Sequence, residues 1–189
     1  MHCFKEWQVV CDAIQQGKQS LILRKGGIHE GKGGFSFGNV ERFVLFPTRF
    51  HAQGDHVRGE TDTFTPGKEW EVGDTLSFNI VCAVDQVYEL NDWQIIHQLS
   101  PFHIWTESCI KDRFQWEGKG MAQGTIHLAM IRAYQLPEPI EISYHKGLAG
   151  CRSWVTLDDI SCPSVERLDP VLENREYQQL TQKVLSKIS

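Results

Sequence analysis

The stretch EVGDTLSFNIVCAV, residues 71–84, decides the fold class. Its Gly73-Asp74 pair predicts a turn, and the residues after it predict a long strand over 75–84 that continues through 87–90. Shorter strands are predicted over residues 20–24, 43–47, 126–134 and 154–157, with a corner at 136–139. Because turns rather than regular helices separate most of these strands, the pattern favours the α+β class. We expect a small mixed or antiparallel sheet, or a partly closed β-barrel, decorated by helices.

Four helices are predicted around these strands. Trp7, Val10, Cys11 and Ile14 keep helical spacing, which predicts an amphipathic helix over residues 4–16 that ends at Gly17. The other helices are predicted over 93–99, from Thr106 to about 116, and from 169 to about 187, the first of them capped by Asn91 or Asp92. We expect one globular domain over residues 1–165 and a C-terminal helical extension over 166–189, packed on or beside it.

Composition and charge limit the function classes. Apolar residues make up 41% and charged residues 23%, which excludes disordered, collagen-like and coiled-coil chains. The net charge is −5, whereas a domain that coats DNA non-specifically is usually basic. Basic side chains outnumber acidic ones only in the first 60 residues. An anionic ligand is therefore expected to meet a local patch formed by the N-terminal third.

The sequence also indicates the compartment. Its apolar runs, such as FVLF at residues 43–46, have the length of strands and fall short of the ~20 residues of a membrane span. The first residues lack the apolar core of a signal peptide, so a cytoplasmic protein without membrane contact is expected. The six cysteines contain no C-x-x-C pair, which favours buried thiols over a disulfide framework, and Cys151 in particular is expected to pack in the core.

The most unusual feature is the segment KGGIHEGKGG, residues 25–34, which holds five glycines in ten residues. It follows a predicted strand, and Arg24 and Lys25 adjoin it. Backbone N–H groups of Gly26, Gly27 and their neighbours can cradle phosphate, while the basic side chains supply charge. The segment matches no nucleotide-hydrolase loop. A flexible surface loop and an anion or nucleic-acid backbone site both remain open interpretations.

A second candidate site follows the strand at residues 43–47. Thr48, Arg49 and His51 place a hydroxyl, a guanidinium and an imidazole at the end of a rigid strand, a common position for ligands. The histidines and carboxylates of residues 29–30, 51 and 55–56 match no zinc-binding spacing, so no metal and no cofactor is expected. The strand over 75–84 lacks the carboxylates and lysine of a magnesium-dependent nuclease. Gly150–Trp154 lacks the elbow of a serine hydrolase, and no catalytic residue is assigned.

Several of these stretches together resemble one family. They are Lys5-Glu6-Trp7, LRKGGI at 23–28 with Glu30-Gly31, FPT at 46–48 with His51, LSPFHIW at 99–105, Arg113-Phe114 and GCRSW at 150–154. The chain is similar over roughly residues 4–160 to the family catalogued as domain of unknown function 1802. Members of that family are sometimes joined to an Mrr-type restriction endonuclease domain. The resemblance therefore implies a role beside DNA restriction, with a nuclease partner supplying cleavage.

A broader resemblance is to PUA-like barrels of the ASCH or EVE type, which bind RNA or modified bases. It rests on the order of elements: a helix, a short strand, Arg-Lys, a Gly-rich turn, a Gly-Asp pair before a long strand, and a late apolar strand. Because function belongs to a site and not to a fold, this resemblance adds only an expectation.

The sequence leaves three functions open. The first is a non-enzymatic module that binds DNA or RNA. Its phosphate contacts would come from Arg24, Lys25 and residues 26–34, and its contacts to sugar or base edges from Thr48, Arg49 and His51. A pocket wall would be formed by Arg152 and Trp154. The second is an enzyme for a small phosphorylated or nucleotide substrate, with Glu30, His51 or His103 as acid/base group. The third is a scaffold that docks onto a restriction or repair partner through its C-terminal helix.

Overall fold

The computed structural model describes residues 1–25, 37–38, 40–59, 67–115 and 124–188. Six strands lie within these ranges: β1 (His2–Trp7), β2 (Leu21–Arg24), β3 (Arg42–Thr48), β4 (Thr75–Leu90), β5 (Ile126–Ser143) and β6 (Trp154–Thr156). They form one sheet in the order β2-β5-β4-β3-β1-β6. β1 and β3 are parallel, and the other neighbours are antiparallel. The sheet is mixed and open. This confirms the predicted α+β class, and of the two expected architectures the described strands form the mixed sheet and not the partly closed barrel.

Four helices accompany the described strands: α1 (Gln8–Gln15), α2 (Trp93–Gln98), α3 (Glu107–Phe114) and α4 (Asn174–Ile188). The predicted caps are present at two of them. The Asp92 side chain accepts a hydrogen bond from the Gln94 N–H, and the Thr106 side chain accepts one from the Cys109 N–H. Gly17, which follows α1, has φ of 72°, a conformation that favours glycine. The described chain contains no helix that is both long and apolar enough to cross a membrane.

The prediction of a helix from residue 4 is wrong at its start. Residues 4–7 belong to β1, and the helix begins at Gln8. The reason is pairing with a distant strand: Phe4 lies opposite Leu45, and Trp7 lies opposite Thr48, in the parallel ladder with β3. Alternation then places Cys3 and Phe4 in different apolar clusters, as a strand buried on both faces requires.

The predicted corner at residues 136–139 does not take the chain out of the sheet, because β5 continues to Ser143, but these residues interrupt the pairing: β4 pairs with Gln135 and next with Ile140. Pro137 and Pro139 are tolerated there since β2 pairs with β5 only along residues 127–130, which leaves this part of β5 without a partner strand on that side within the described chain. Proline is accepted in a strand where no ladder hydrogen bond is required of its nitrogen. A register shift between Phe78 and Ile80 of β4 accompanies the prolines.

Two apolar clusters pack against the sheet. The larger one includes side chains from all four helices, among them Ile14, Ile96, Phe114 and Val184. The smaller one is formed mainly by β1, β3, β4 and the chain after β5.

Four of the six cysteines are buried and all six are free thiols. Cys151 is exposed, so the expectation that it packs in the core is wrong: it follows Gly150, whose positive φ turns the chain at the surface.

Candidate functional site

A cavity of about 520 Å³ opens where the parallel strands β1 and β3 end. The parallel pairing places Glu6 opposite Pro47 and Trp7 opposite Thr48, so both strands release their following residues at the same edge of the sheet. The carboxyl ends of parallel strands are common positions for ligand sites. The segments 69–70 and 148–152 close the cavity from the side.

Cationic groups are prominent in the lining. Lys5, Arg24, Arg49 and Arg152 line the cavity together with the acidic residues Glu6 and Glu69. The Lys5 ammonium donates hydrogen bonds to the carbonyl oxygens of Leu148 and Gly150, the second at 3.0 Å. Burial, with the nearby Arg152 guanidinium as a second cause, lowers the pKa of Lys5. Arg152 is exposed and donates to the Gly147 carbonyl oxygen.

Glu6 is a buried carboxylate within this cationic group, with 1% of its surface exposed. Its Oε1 accepts a hydrogen bond from the Trp7 N–H at 2.8 Å. Arg24 NH1 lies 3.7 Å from Oε2, and Arg113 NH2 lies 4.0 Å from Oε1. Arg24 is held in place by two hydrogen bonds to the Ser153 hydroxyl, at 3.2 and 3.1 Å. Glu6 therefore balances the charge of two guanidinium groups and keeps Arg24 beside the cavity.

Aromatic rings form the other part of the lining: Trp7, Phe46, Phe50, Trp70 and Tyr144. Trp70 is fixed by a hydrogen bond from its indole N–H to the Pro47 carbonyl oxygen, at 2.7 Å, and it stacks on Tyr144. The Arg49 guanidinium lies over the Trp70 ring, 3.4 Å from its centroid. Arg49 also donates to the Gln8 side chain at 3.0 Å, so Arg49 and Trp70 form a rigid wall.

A second, smaller cavity of about 220 Å³ shares this wall. Arg49 and Trp70 line both cavities, and the lining of the smaller one includes five uncharged polar residues: Gln8, Gln15, Thr75, Ser77 and Asn79. Asp12 is the acidic residue in it, and burial raises the pKa of that carboxyl. The charged and aromatic groups thus concentrate in the larger cavity.

Four of the predicted site residues lie together in the larger cavity: Arg24, Thr48, Arg49 and Arg152. They come from three separate parts of the sequence, and the ends of β1 and β3 bring them together. The Thr48 hydroxyl donates to the Glu6 carbonyl oxygen at 3.0 Å, which fixes the junction of the two strands. This hydroxyl therefore already has a structural partner.

The predicted glycine-rich site is described only at its edge. Gly26, Gly27 and Glu30, with the rest of residues 26–34, lie outside the described residues. Lys25 is described and half-buried, and it does not line the larger cavity. His51 begins a 3-10 turn over His51–His56, and its side chain lies outside the described part of the chain.

Trp154 and His103 also lie elsewhere in the protein. Trp154 packs among the rings of Phe4, Phe37 and Phe43, with centroid distances of 4.9, 5.8 and 5.4 Å. His103 is buried beside Trp105. Burial, reinforced by the charges of Arg58 and Arg113, lowers the pKa of His103 to about 3. A histidine with that pKa is not poised near neutrality, as the role of an acid/base group would require.

The sequence interpretation missed Lys5, Glu6, Trp70 and Tyr144 as cavity residues. The helical spacing predicts Lys5 and Glu6 as part of a helix over residues 4–16, whereas the structure places them in β1. Two adjacent charged residues between Phe4 and Trp7, in a stretch otherwise apolar, are the signal that could have identified them. Within the residues that the model describes, histidine, cysteine and acidic side chains form no group that could hold a metal ion.

No curated protein matches the chain. Among solved structures, a point mutant of the ASCH protein from Zymomonas mobilis is 12% identical, with a TM-score of 0.44 and 96% of each chain covered. The ASCH protein itself from that organism is 14% identical, with a TM-score of 0.39, over 98% of this chain and 93% of the other. The family model described as Domain of unknown function (DUF1802) matches residues 3–183, and the chain therefore belongs to that family.

Proposed function

We propose that this protein is a non-enzymatic nucleic-acid-binding module whose larger cavity holds one unpaired nucleotide of a strand. The observation that carries the proposal is the joint presence of Lys5, Arg24, Arg49 and Arg152 with Trp70 and other aromatic rings around one cavity of about 520 Å³. Small-ligand sites have volumes of roughly 300–1,000 Å³.

The cationic side chains fit the phosphate groups of the strand. Arg24 and Arg152 both line the cavity, and Lys5 lies near Arg152. Arginine and lysine supply most phosphate contacts in nucleic-acid complexes. Because the whole chain has a net charge of −5, its attraction for a polyanion must come from the cationic side chains around the larger cavity.

The aromatic side chains fit the base. Unpaired bases stack on aromatic rings and on arginine guanidinium planes, whereas a paired base inside a duplex presents neither face. Arg49 and Trp70, whose guanidinium and indole ring are stacked, place both kinds of flat group at one wall of the cavity. We therefore expect a preference for single-stranded DNA or RNA over duplex.

The test is a fluorescence-anisotropy titration with short single-stranded DNA, single-stranded RNA and duplex probes at two salt concentrations. Arg152→Gln removes an exposed cavity cation, and Arg175→Gln removes an exposed cation of α4 as the matched control. We expect wild type and Arg175→Gln to prefer the single strand, and Arg152→Gln to lower the salt slope by about 0.7. Absence of binding at low salt, or equal loss in both variants, would overturn the proposal.

Two further expectations accompany this proposal. The family resemblance adds a setting in DNA or RNA processing with a restriction-type nuclease as partner, which co-purification with such a nuclease would support. An enzyme for a small phosphorylated substrate would instead show saturable turnover of mononucleotides. We expect mononucleotides to remain chemically unchanged after incubation with the protein.

A further inference from the structure

The smaller cavity lies where strands β3 and β4 part. The antiparallel ladder between them ends at Val44, which lies opposite Val81. Polar side chains line the space beyond this point: Thr75, Ser77 and Asn79 of β4, and Gln8, Asp12 and Gln15 of α1. Its volume of about 220 Å³ is below the roughly 300–1,000 Å³ of most small-ligand sites. The cavity therefore suits a single base better than a whole nucleotide.

Asp12 supplies this cavity with a carboxylate that has no hydrogen-bond donor. The residue is half-buried, and no described residue donates a hydrogen bond to its side chain. Burial raises the pKa of this carboxyl, and the charge of Arg49 acts in the opposite direction. A partly desolvated carboxylate binds N–H donors more strongly than one in open water. The Asp12 side chain therefore offers two acceptor oxygens to a ligand in the cavity.

Gln8 supplies a donor beside these acceptors. Its Oε1 accepts a hydrogen bond from Arg49 Nε at 3.0 Å, and since a guanidinium can only donate, the amide oxygen must face Arg49. The amide N–H₂ group of Gln8 donates to no described residue. Gln8 and Asp12 are four residues apart on α1, so their side chains are neighbours on one face of the helix. The cavity thus presents two acceptor oxygens next to an N–H donor.

We propose that the smaller cavity binds a guanine base, with Asp12 accepting from its N1–H and its amino group and Gln8 donating to its O6. The inference rests on the proposed function, since this guanine belongs to the strand whose neighbouring nucleotide occupies the larger cavity. The Arg49–Trp70 wall lies between the two cavities.

The hydrogen-bonding edges of the bases explain the choice of guanine. An unpaired base is read on its Watson–Crick edge, and only guanine among the standard bases carries two adjacent donors followed by an acceptor there. Adenine and cytosine carry one donor group beside an acceptor. The N–H of uracil and thymine lies between two carbonyl oxygens, and a carboxylate repels both of them.

The base supplies the first test, because it leaves the protein unchanged. Wild-type protein is titrated with three short oligothymidines that carry guanine, hypoxanthine or thymine at the central position. Hypoxanthine is guanine without its amino group, so it keeps N1–H and O6 but loses one hydrogen bond to Asp12. We expect the guanine oligomer to bind about tenfold more tightly than the hypoxanthine oligomer. Equal affinity for these two oligomers would overturn the proposal.

The protein supplies the second test. Asp12→Asn keeps the size of the side chain but replaces one acceptor oxygen by an N–H₂ group, which opposes the donors of guanine. We expect the preference for guanine over hypoxanthine to fall below about threefold in this variant. Asp112→Asn changes an exposed carboxylate of α3 outside the cavity and should keep the wild-type preference. A preference that survives Asp12→Asn, or that both variants lose equally, would contradict the assignment of Asp12.

The outcomes separate this inference from the proposed function. Binding of all three oligomers with equal affinity removes the guanine site and leaves the nucleic-acid-binding proposal intact. Absence of binding to any oligomer removes both. If Asp12→Asn fails to fold, the comparison of guanine with hypoxanthine in the wild type decides alone.

Discussion

The guanidinium of Arg49 lies over the indole ring of Trp70, with its central carbon 3.4 Å from the ring centroid. This pair separates the larger cavity from the smaller one, since both residues line each of them. Arg49 is held by hydrogen bonds to the Gln8 side chain and the Lys68 carbonyl oxygen, and Trp70 is held by the Pro47 carbonyl oxygen. The wall is therefore fixed from β3, from the start of α1 and from the segment before β4.

Replacing Arg49 by lysine tests whether the stacked guanidinium matters beyond its charge. Lysine keeps the charge but loses the flat group that covers the ring. We expect Arg49→Lys to weaken the binding of single-stranded oligonucleotide by about threefold to tenfold and to lower the free energy of unfolding by less than about 1 kcal/mol. Anisotropy and urea titrations measure the two effects. Unchanged affinity would show that the guanidinium acts only as a charge.

Gly67 offers a second way to disturb the same pair. A Cβ atom added at Gly67 would lie 2.7 Å from Arg49 Nε and 2.8 Å from Arg49 Cζ, so the guanidinium must shift. We expect Gly67→Ala to weaken oligonucleotide binding in the same direction as Arg49→Lys. Because both changes act on one contact, the double variant should lose less than the product of the two single effects. Independent effects would contradict this account of the wall.

His103 predicts a pH dependence of stability. Burial, with Arg58 and Arg113 nearby, lowers its pKa from 6.5 to about 3. Between these values the unfolded chain binds a proton that the native protein does not, so the free energy of unfolding falls as the pH is lowered from 6.5 toward 3. The full loss attributable to His103 is on the order of 5 kcal/mol. Above pH 6.5, His103 does not change the free energy of unfolding with pH.

The measurement is urea unfolding of wild type and His103→Gln between neutral and acid pH. We expect the variant to lose less stability than the wild type on acidification. His97→Gln provides the control, since that side chain is 52% exposed on α2, and its acid profile should follow the wild type. If the free energy of unfolding falls equally with pH in wild type and in His103→Gln, protonation of His103 does not destabilise the native protein, and the prediction is wrong.

Helix α4 is part of the core through Val184, which is fully buried in the larger apolar cluster. Tyr177, one turn from the start of the helix, is also buried and donates a hydrogen bond to Asp85 of β4 at 3.1 Å. We expect Val184→Ala to lower the free energy of unfolding by about 1–3 kcal/mol, and the exposed Lys183→Ala to leave it nearly unchanged. Thermal or urea unfolding measures both.

The same helix bears on the scaffold interpretation. Deleting residues 166–189 would expose the apolar surface that Val184 covers, so we expect the truncated chain to lose stability. A lost interaction with a partner after such a deletion would not by itself identify α4 as a docking surface. Substitutions on the exposed face, such as Lys183→Ala, separate the two causes.

Local sequence signals predicted the elements that depend on local chemistry. Asp92 and Thr106 cap α2 and α3 because short polar side chains satisfy the free N–H groups of a first turn. Gly17 ends α1 because its backbone requires a positive φ. These features arise within a few residues of one another and are therefore visible in the sequence.

Pairing between distant segments explains what the sequence could not reveal. Residues 4–7 keep part of the helical spacing, yet they form a strand because β3, some forty residues later in the chain, pairs with them. Pro137 and Pro139 mark a corner by local rules, yet β5 stays in the sheet because β4 pairs with it again from Ile140, beyond residues 136–139, which have no partner in β4. The cavity depends on the first of these pairings. The sequence predicts site residues that follow a strand or a turn, namely Thr48, Arg49 and Arg152. It does not predict Lys5 and Glu6 as cavity residues, because it does not predict that they lie in the strand β1.

The most direct test of the account is photochemical cross-linking of the wild-type protein to a short single-stranded oligonucleotide that carries 5-iodocytosine, followed by mass spectrometry of the peptides. We expect cross-links to aromatic residues of the larger cavity: Trp7, Phe50, Trp70 or Tyr144. Excess unmodified oligonucleotide should abolish these cross-links. Cross-links confined to residues outside the cavity, or none despite measurable binding, would contradict the assignment of the cavity as the nucleotide site.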